Sequence, residues 1–137
     1  MKLRHLTAYV DGASRSNPGP AAIGVVLLDG DTTVELIGEF IGRATNNVAE
    51  YRALVAALKA ARRHGARSLR VFTDSELMAR QWSGAYRVRN AGLKDLHAEA
   101  RRLAQGFDDV AVDHIPRTLN RRADDLCNRA LDDAGAV

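Results

Sequence analysis

Three strand-like segments separated by turn residues open the chain, and this order restricts the fold more than any other feature. The strand patterns cover residues 3–10, 22–29 and 33–42, with turn residues at 17–20 ("NPGP") and 30–32 ("GDT") between them. Consecutive strands joined by tight turns pair antiparallel. The sequence therefore predicts a sheet that begins as an antiparallel meander.

Helices and single strands alternate over the rest of the chain. We expect a long helix, capped by Asn46 or Asn47, to run to about His64 and end at Gly65. The remaining predicted elements are a strand at 68–74, a helix from Ser75 to about Trp82, a helix at 93–104, a strand at 109–115, a loop around Pro116 and a helix from about Asn120 to Leu131. The order β-β-β-α-β-α-α-β-α predicts an α/β fold, with a five-stranded mixed sheet and helices packed on it.

Length and composition indicate one globular domain over residues 1–137, with a tail at 132–137 that we expect to fray. Hydrophobic residues make up 46% and charged residues 27%, as in ordinary globular proteins. Apolar runs such as 23–28 are too short to span a bilayer, and we expect no secretion signal at the start. Cys127 has no partner for a disulfide, which predicts a reducing, cytoplasmic location and a buried side chain.

Arginines form two clusters in a chain of net charge +3. Such clusters favour polyanions, because arginine pairs with phosphate and releases counterions. A solvated basic face without a partner is the alternative. The clusters consist of Arg62, Arg63, Arg67 and Arg70, and of Arg117, Arg121, Arg122 and Arg129.

Two acids follow predicted strands. Asp11 comes directly after "LTAYV" and Asp74 directly after "LRVFT". Sites in open α/β sheets lie outside the carboxyl ends of strands, so these side chains would be adjacent if the strands are parallel neighbours. For Asp11 the alternative is a turn residue before Gly12, and for Asp74 it is an acid favoured by a helix dipole.

Two further acids lie on the apolar stripes of predicted helices. Glu50 precedes Leu54 by one turn, and Asp124 shares its stripe with Cys127. A buried carboxylate is unfavourable unless something pairs with it, which suggests that both acids face a site. For Asp124 the alternative is an exposed position beside Asp125.

Four carboxylates cannot remain ionised in a small volume without a compensating cation. Oxygen-only ligands, without nearby cysteine or paired histidines, favour Mg²⁺ or Mn²⁺ over zinc. Two such ions about 3.5–4 Å apart activate a water and hold both oxygens of an in-line phosphoryl displacement. If the four acids converge, the pattern indicates nuclease chemistry.

The motifs "YVDGASRSNPGPAAIG", "TNNVAEYRAL", "FTDSELM" and "HIPRTLNRRADDLCNRAL", in this order, resemble type 1 ribonuclease H over essentially the whole chain. The likeness is nearest to the compact bacterial and archaeal branch. It implies a monomer with the ribonuclease H-like fold that hydrolyses the RNA strand of RNA–DNA hybrids, leaving 5′-phosphate and 3′-hydroxyl ends. It also implies that two Mg²⁺ or Mn²⁺ ions are held by the catalytic acids Asp11, Glu50, Asp74 and Asp124.

The resemblance also assigns residues that bind substrate. Asn46 and Asn47 match an asparagine pair that reads sugar edges, and an amide can both donate to and accept from a 2′-hydroxyl. Helix capping is the alternative for this pair. Thr45 and Asn17 match positions that touch the phosphate of the DNA strand, although Asn17 also suits the turn before Pro18. Gly12 permits close approach of the substrate to the backbone.

An auxiliary group is expected before the last acid. Longer members of the family use a mobile histidine that helps product leave, and His114 lies at a comparable distance from Asp124. Arg117 matches the arginine of the compact branch. We favour Arg117, with His114 as second choice; a general phosphate contact is the alternative for either.

The segment 83–94 lacks the lysine-rich protrusion of longer relatives and carries only Arg87, Arg89 and Lys94. We therefore expect modest hybrid affinity, or help from a partner or fused domain. Glu76 adds negative charge near the site, and Trp82 is expected in the core. The rival functions are a hybrid-binding module with weak catalysis and another nuclease of the same superfold.

Overall fold

Five strands form one mixed sheet with helices on both faces in the computed structural model, which describes residues 4–137. Leu3, the first residue of the first predicted strand, lies outside the described residues. The elements are β1 (His5–Ser14), β2 (Gly19–Asp29), β3 (Thr32–Ala44), α1 (Asn46–Arg63), β4 (Ser68–Thr73), α2 (Glu76–Ser83), α3 (Ala91–Ala104), β5 (Asp109–His114), a short 3-10 helix (Arg117–Leu119) and α4 (Arg121–Asp133). The predicted order is confirmed, and the 3-10 helix lies where only a loop was predicted.

The strand order is β3-β2-β1-β4-β5. β1 pairs antiparallel with β2, and β2 with β3, as the meander requires. β4 pairs parallel with both β1 and β5. The predicted mixed sheet is confirmed, and the two strands that carry Asp11 and Asp74 are parallel neighbours.

β1 does not end before Asp11, so that part of the prediction is wrong. Its parallel pairing with β4 stops at Val10 opposite Thr73. Its antiparallel pairing with β2 continues through Asp11 opposite Gly24 and ends at Ser14. Asp11 therefore lies at the point where one neighbouring strand has ended while the other still fixes the backbone.

Thr45 caps α1, so the prediction that Asn46 or Asn47 caps it is wrong. The Thr45 hydroxyl accepts a hydrogen bond from the Val48 amide at 3.2 Å. Threonine is a good N-cap because its side-chain oxygen satisfies an amide that has no partner within the helix. Neither the Asn46 nor the Asn47 side chain is therefore used to cap α1.

The predicted boundaries of α2 are confirmed. The Ser75 hydroxyl accepts from the Met78 amide at 3.2 Å, and the helix ends at Gly84, whose φ is +87°. α3 begins two residues before the predicted Leu93, because Asn90 caps it by accepting from the Leu93 amide at 3.2 Å.

Helices cover the sheet from both sides. α1 and α3 lie over the main core, which includes Leu54, Val71 and the predicted core residue Trp82. α4 lies over the other face, where Ala22, Cys127 and Leu131 form a smaller core. The expectation that Cys127 is buried is confirmed, since its thiol donates to the Ala22 carbonyl at 3.1 Å.

α4 lies directly on the backbone of β2. A Cβ atom added at Gly24 would lie 2.1 Å from the carbonyl oxygen of Ala123, a distance that real Cβ contacts do not show. Only glycine allows this approach. Since Ala123 immediately precedes Asp124, the contact sets how deeply that acid reaches toward β1.

The segment 132–137, expected to fray, is held against the β1–β2 turn. α4 continues to Asp133, and Arg15 forms an ion pair with Asp132 at 2.6 Å. The same guanidinium donates to the Ala136 carbonyl at 2.7 Å. These contacts join the end of the chain to the turn that follows β1.

Within residues 4–137, no helix combines the length and the apolar composition that crossing a bilayer requires.

Gly24→Ala should lower the free energy of unfolding by about 1–3 kcal/mol, because α4 must move away from β2 to admit the methyl group. Thermal and urea denaturation measure the change. Gly106→Ala is the matched control, since its added Cβ would lie 3.4 Å from the Leu103 carbonyl, an ordinary contact. Equal stability of the two variants would contradict the close approach.

Candidate active site

Three acids from separate elements meet at one end of the sheet. Asp11 comes from β1, Glu50 from α1, and Asp74 follows β4. One carboxylate oxygen from each lies within 4.8 Å of the others. They open onto a cavity of about 430 Å³ lined by Asp11, Gly12, Ala13, Ser14, Asn46, Glu50, Asp74, Arg117 and Asp124.

Close packing of α1 against β1 places Glu50. A Cβ atom at Gly12 would lie 2.2 Å from the carbonyl carbon of Ala49, so the start of α1 touches β1 at this glycine. The close approach that glycine permits at position 12 is therefore first of all the approach of α1 to β1. Glu50 Oε2 is buried without a hydrogen-bond partner in the described part of the chain. An unpaired buried carboxylate oxygen is unfavourable and is typical of a site that binds a cation.

The pKa of each of the three acids is raised, with burial as the largest cause in every case. Burial and the neighbouring Asp74 and Asp124 raise the pKa of Asp11 to about 8. Burial and the charge of Asp11 raise the pKa of Glu50 well above its ordinary value, although the Gly12 amide opposes this. Burial also raises the pKa of Asp74. The cluster is thus short of positive charge, which a divalent cation would supply.

Asp124 joins the cluster from the other face of the sheet. It lines the same cavity, and its proximity raises the pKa of Asp11. It also lies 3.7 Å from the guanidinium of Arg117. The four predicted acids therefore surround one cavity, with three in a tight group and the fourth beside an arginine.

The donor set suits a hard divalent cation. Among residues 4–137, only carboxylate, amide, hydroxyl, guanidinium and backbone groups line the cavity, with neither histidine nor cysteine. Carboxylate oxygens are the ligands that Mg²⁺ and Mn²⁺ prefer, whereas zinc sites usually contain nitrogen or sulfur. The raised pKa values and the unpaired Glu50 oxygen agree with a metal site.

Arg117 and His114 differ in position. The Arg117 side chain is 79% exposed, yet it lines the cavity, and its charge opposes the effect of burial on the pKa of all three clustered acids. His114 is the exposed last residue of β5 and does not line the cavity. Arg117 therefore lines the cavity itself, whereas His114 lies outside the lining but near enough to Asp74 to lower its pKa.

The residues expected to bind substrate lie at the start of α1 and in the preceding turn. The Asn46 side chain accepts from the Ser14 amide at 2.7 Å, and the Asn17 side chain accepts from the Asn46 amide at 3.1 Å. Asn47 is exposed, and its side chain makes no hydrogen bond within residues 4–137. Of this set, Asn46 and Gly12 line the cavity; Asn17, Thr45 and Asn47 lie beside it in sequence.

The first arginine cluster is largely neutralised by acids. Three of its members form ion pairs, Arg63 with Glu35 at 2.7 Å, Arg67 with Asp108 at 3.2 Å and Arg70 with Asp113 at 3.0 Å. Arg67 precedes the start of β4, opposite the end that carries Asp74. For this first cluster, the ion pairs favour the alternative interpretation, a solvated basic face without a polyanionic partner.

The second arginine cluster adjoins the cavity. Arg117 lines it, and the exposed Arg121 and Arg122 follow on the first turn of α4. Glu76, expected to add negative charge near the site, instead pairs with Arg80 at 3.0 Å. Basic charge beside the acids therefore comes mainly from the segment that leads into α4.

Sequence reasoning missed two features of the site. Ser14 contributes through its backbone amide, for which a sequence carries no signal. Asn120 was expected only to open the last helix, but its buried side chain donates to the Val10 carbonyl at 2.8 Å and lowers the pKa of the nearby Asp74 carboxyl against the effect of burial. An asparagine four residues before an inward-facing acid is the available signal.

Known proteins resemble the chain in sequence and in fold. A family model described as reverse transcriptase-like matches residues 9–130. Ribonuclease HI of Halobacterium salinarum is 51% identical over 93% of this chain and 64% of its own length. Ribonuclease H of Cupriavidus metallidurans is 33% identical over 94% of this chain and 97% of its own length.

A solved structure of LC11-RNase H1 in complex with an RNA/DNA hybrid superposes with a TM-score of 0.91 and 39% identity. The match covers 96% of this chain and 99% of the LC11-RNase H1 chain, a protein isolated from compost by a metagenomic approach. The chain spans less than two thirds of the Halobacterium relative and 35% of three mycobacterial relatives that are 44% identical to it. Sequence, family model and fold agree: the chain belongs to the type 1 ribonuclease H family.

Proposed function

We propose that the chain is an endoribonuclease that hydrolyses the RNA strand of RNA–DNA hybrids, leaving 5′-phosphate and 3′-hydroxyl ends. The observation that carries this proposal is the meeting of Asp11, Glu50 and Asp74 within 4.8 Å in an open cavity. Structural roles alone would not place three like charges together, one buried and two half-buried, since the arrangement is unfavourable without a cation. Family membership and a hybrid-bound relative of the same fold support the choice of substrate.

Asp11, Glu50, Asp74 and Asp124 would hold two Mg²⁺ or Mn²⁺ ions. When bound, such ions lower the pKa of the attacking water and stabilise charge on the leaving 3′-oxygen. The protein holds the ligands on strands and helices, whose backbones are fixed before substrate arrives. The opening onto solvent admits a phosphodiester backbone.

Arg117 would bind the scissile phosphate. Its guanidinium is exposed, lies beside Asp124 and faces the same cavity as the other acids. A planar guanidinium donates two parallel hydrogen bonds to phosphate oxygens. It would offset the charge that develops on the phosphate as the bond to the 3′-oxygen breaks.

Selection of RNA would come from the start of α1. The amides of Asn46 and Asn47 would contact 2′-hydroxyls in the minor groove, since an amide offers both a donor and an acceptor. Thr45 and Asn17 would contact phosphate of the DNA strand, and Gly12 would present its backbone to the substrate at the edge of the cavity that it lines. The bonds from Asn17 to Asn46 and from Asn46 to Ser14 join this surface rigidly to β1.

Hybrid binding would rest on few contacts in a monomer. The loop between α2 and α3 carries only Arg87 and Arg89. We propose that a partner or additional domain strengthens binding, and that the protein acts in the cytoplasm, where a lone buried cysteine stays reduced.

Wild-type protein with Mg²⁺ or Mn²⁺ should cleave a labelled RNA–DNA hybrid, and EDTA should abolish cleavage. Asp11→Asn and Asp74→Asn should each lower kcat by about 10³-fold or more, because each removes a charged ligand. Asp125→Asn, an exposed acid beside Asp124, is the matched control and should retain activity. Wild-type cleavage no faster than Asp11→Asn would identify a binding module. Preference for duplex DNA or duplex RNA in competition would identify another nuclease.

Arg117→Ala should lower kcat on the hybrid by about 10–100-fold, as expected when a cation on the developing charge is lost. Arg117→Lys should keep part of the rate, since it keeps the charge but not the bidentate geometry. His114→Ala should stay within about threefold of wild type, because the imidazole lies outside the cavity. A larger loss in His114→Ala than in Arg117→Ala would reverse the assignment.

Without metal, stability should fall as pH rises from about 4 to 8. The Asp11 pKa is raised to about 8 in the fold, so the folded state keeps a proton that the unfolded state releases. In EDTA at pH 8, Asp11→Asn should therefore raise Tm by about 5 °C, with a smaller gain at pH 5. Asp125→Asn is the control. A metal-free wild type whose Tm is flat or rises over this range would contradict the burial of unpaired charge.

A further inference from the structure

Asn120 occupies a helix-capping position without capping the helix. It is the N-cap residue of α4, yet its side chain forms no hydrogen bond to the first turn. Asn90, at the same position of α3, does cap, accepting from the Leu93 amide at 3.2 Å. Asparagine is favoured at N-caps for this bond, so capping does not account for the buried Asn120 side chain.

The Asn120 side chain instead reaches the carboxyl ends of two strands. Its Nδ2 donates to the Val10 carbonyl at 2.8 Å, directly before Asp11 and at the last pair of the β1–β4 ladder. The same side chain lies near the Asp74 carboxylate and opposes the rise in its pKa that burial causes. The backbone carbonyl of Asn120 accepts from the Asp124 amide at 3.1 Å. Asn120 thus joins the residue before Asp11 to the backbone of Asp124, beside Asp74.

The orientation of the amide follows from its partners. A carbonyl and a carboxylate only accept, so both require the NH₂ group of Asn120. The Oδ1 atom is then left buried, with no hydrogen-bond partner in the described part of the chain. A buried acceptor without a donor reduces stability. A residue that reduces stability while it orders a site is typically present for the function of that site.

We propose that Asn120 is a positioning residue of the metal site, which ties the end of β1 to the start of α4 beside Asp74 and so sets the spacing of the acids. The inference rests on the proposed function, because it assumes that these acids bind metal. Hydrogen-bond partners of metal ligands typically change metal affinity or activity by about 10–100-fold when removed.

Asn120→Ala tests the proposal by three measurements: Mn²⁺ affinity from electron paramagnetic resonance titration without substrate, kcat and KM on a hybrid, and Tm. We expect Mn²⁺ affinity and kcat to fall by about 10–100-fold, with KM within about twofold of wild type. High Mn²⁺ should restore part of kcat, since a mispositioned ligand set still binds at higher concentration.

Two variants serve as matched controls. Asn90→Ala removes a true helix cap, and Gln81→Ala removes a buried amide that does not line the cavity and accepts from the Tyr51 hydroxyl at 2.6 Å. Both should lower Tm while Mn²⁺ affinity stays at the wild-type value. This separates loss of stability from loss of positioning.

A folded Asn120→Ala with wild-type Mn²⁺ affinity and kcat would overturn the proposal. Asn120→Ser, whose one hydroxyl proton can serve Val10 or Asp74 but not both, should lie between alanine and wild type. All variants are measured below their own Tm. If Asn120→Ala does not fold, a wild-type Mn²⁺ affinity of Asn120→Ser would overturn the proposal. Wild-type protein that binds no Mn²⁺ would instead refute the proposed function.

Discussion

Repulsion among Asp11, Glu50 and Asp74 is the interaction on which the rest of the structure depends. Three carboxylates with oxygens within 4.8 Å of one another, one buried and two half-buried, favour separation unless protons or cations compensate them. The fold opposes that separation because each acid belongs to a different segment, whose backbone is held by contacts away from the cluster. A bound cation would release an electrostatic penalty already present in the folded chain, so the proposed metal affinity would follow from the fold.

Close backbone approaches hold the acids in place. β1 and β4 are adjacent and parallel, which brings Asp11 and Asp74 to one end of the sheet. α1 touches β1 at Gly12, and α4 touches β2 at Gly24, each closer than any Cβ would allow. Because side chains do not intervene at these contacts, the helices have little freedom to slide. The spacing of the acids therefore follows from backbone packing more than from surface contacts.

Local patterns predicted the order of elements, the mixed sheet and the four acids, because each depends on neighbours in sequence. They placed the end of β1 too early, since pairing with β2 extends the strand beyond Asp11. They also could not show that Arg67 meets Asp108, because a cluster of basic residues does not reveal its acidic partners. Local patterns could not predict the hydrogen bond from Asn120 to Val10 either, because it joins residues 110 positions apart in the sequence.

The cavity combines buried acids with an exposed cation. Asp11, Glu50 and Asp124 lie on β1, α1 and α4, and Asp74 follows β4 directly, whereas the Arg117 side chain is 79% exposed on a 3-10 turn. A phosphate approaching the bare cluster would meet negative charge, and the single guanidinium cannot offset several carboxylates. Cations in the cluster would reverse this field, so under the proposed function metal and a polyanionic substrate would bind with positive coupling. The acids would then define where phosphate sits, and the exposed arginine would contact it from the solvent side.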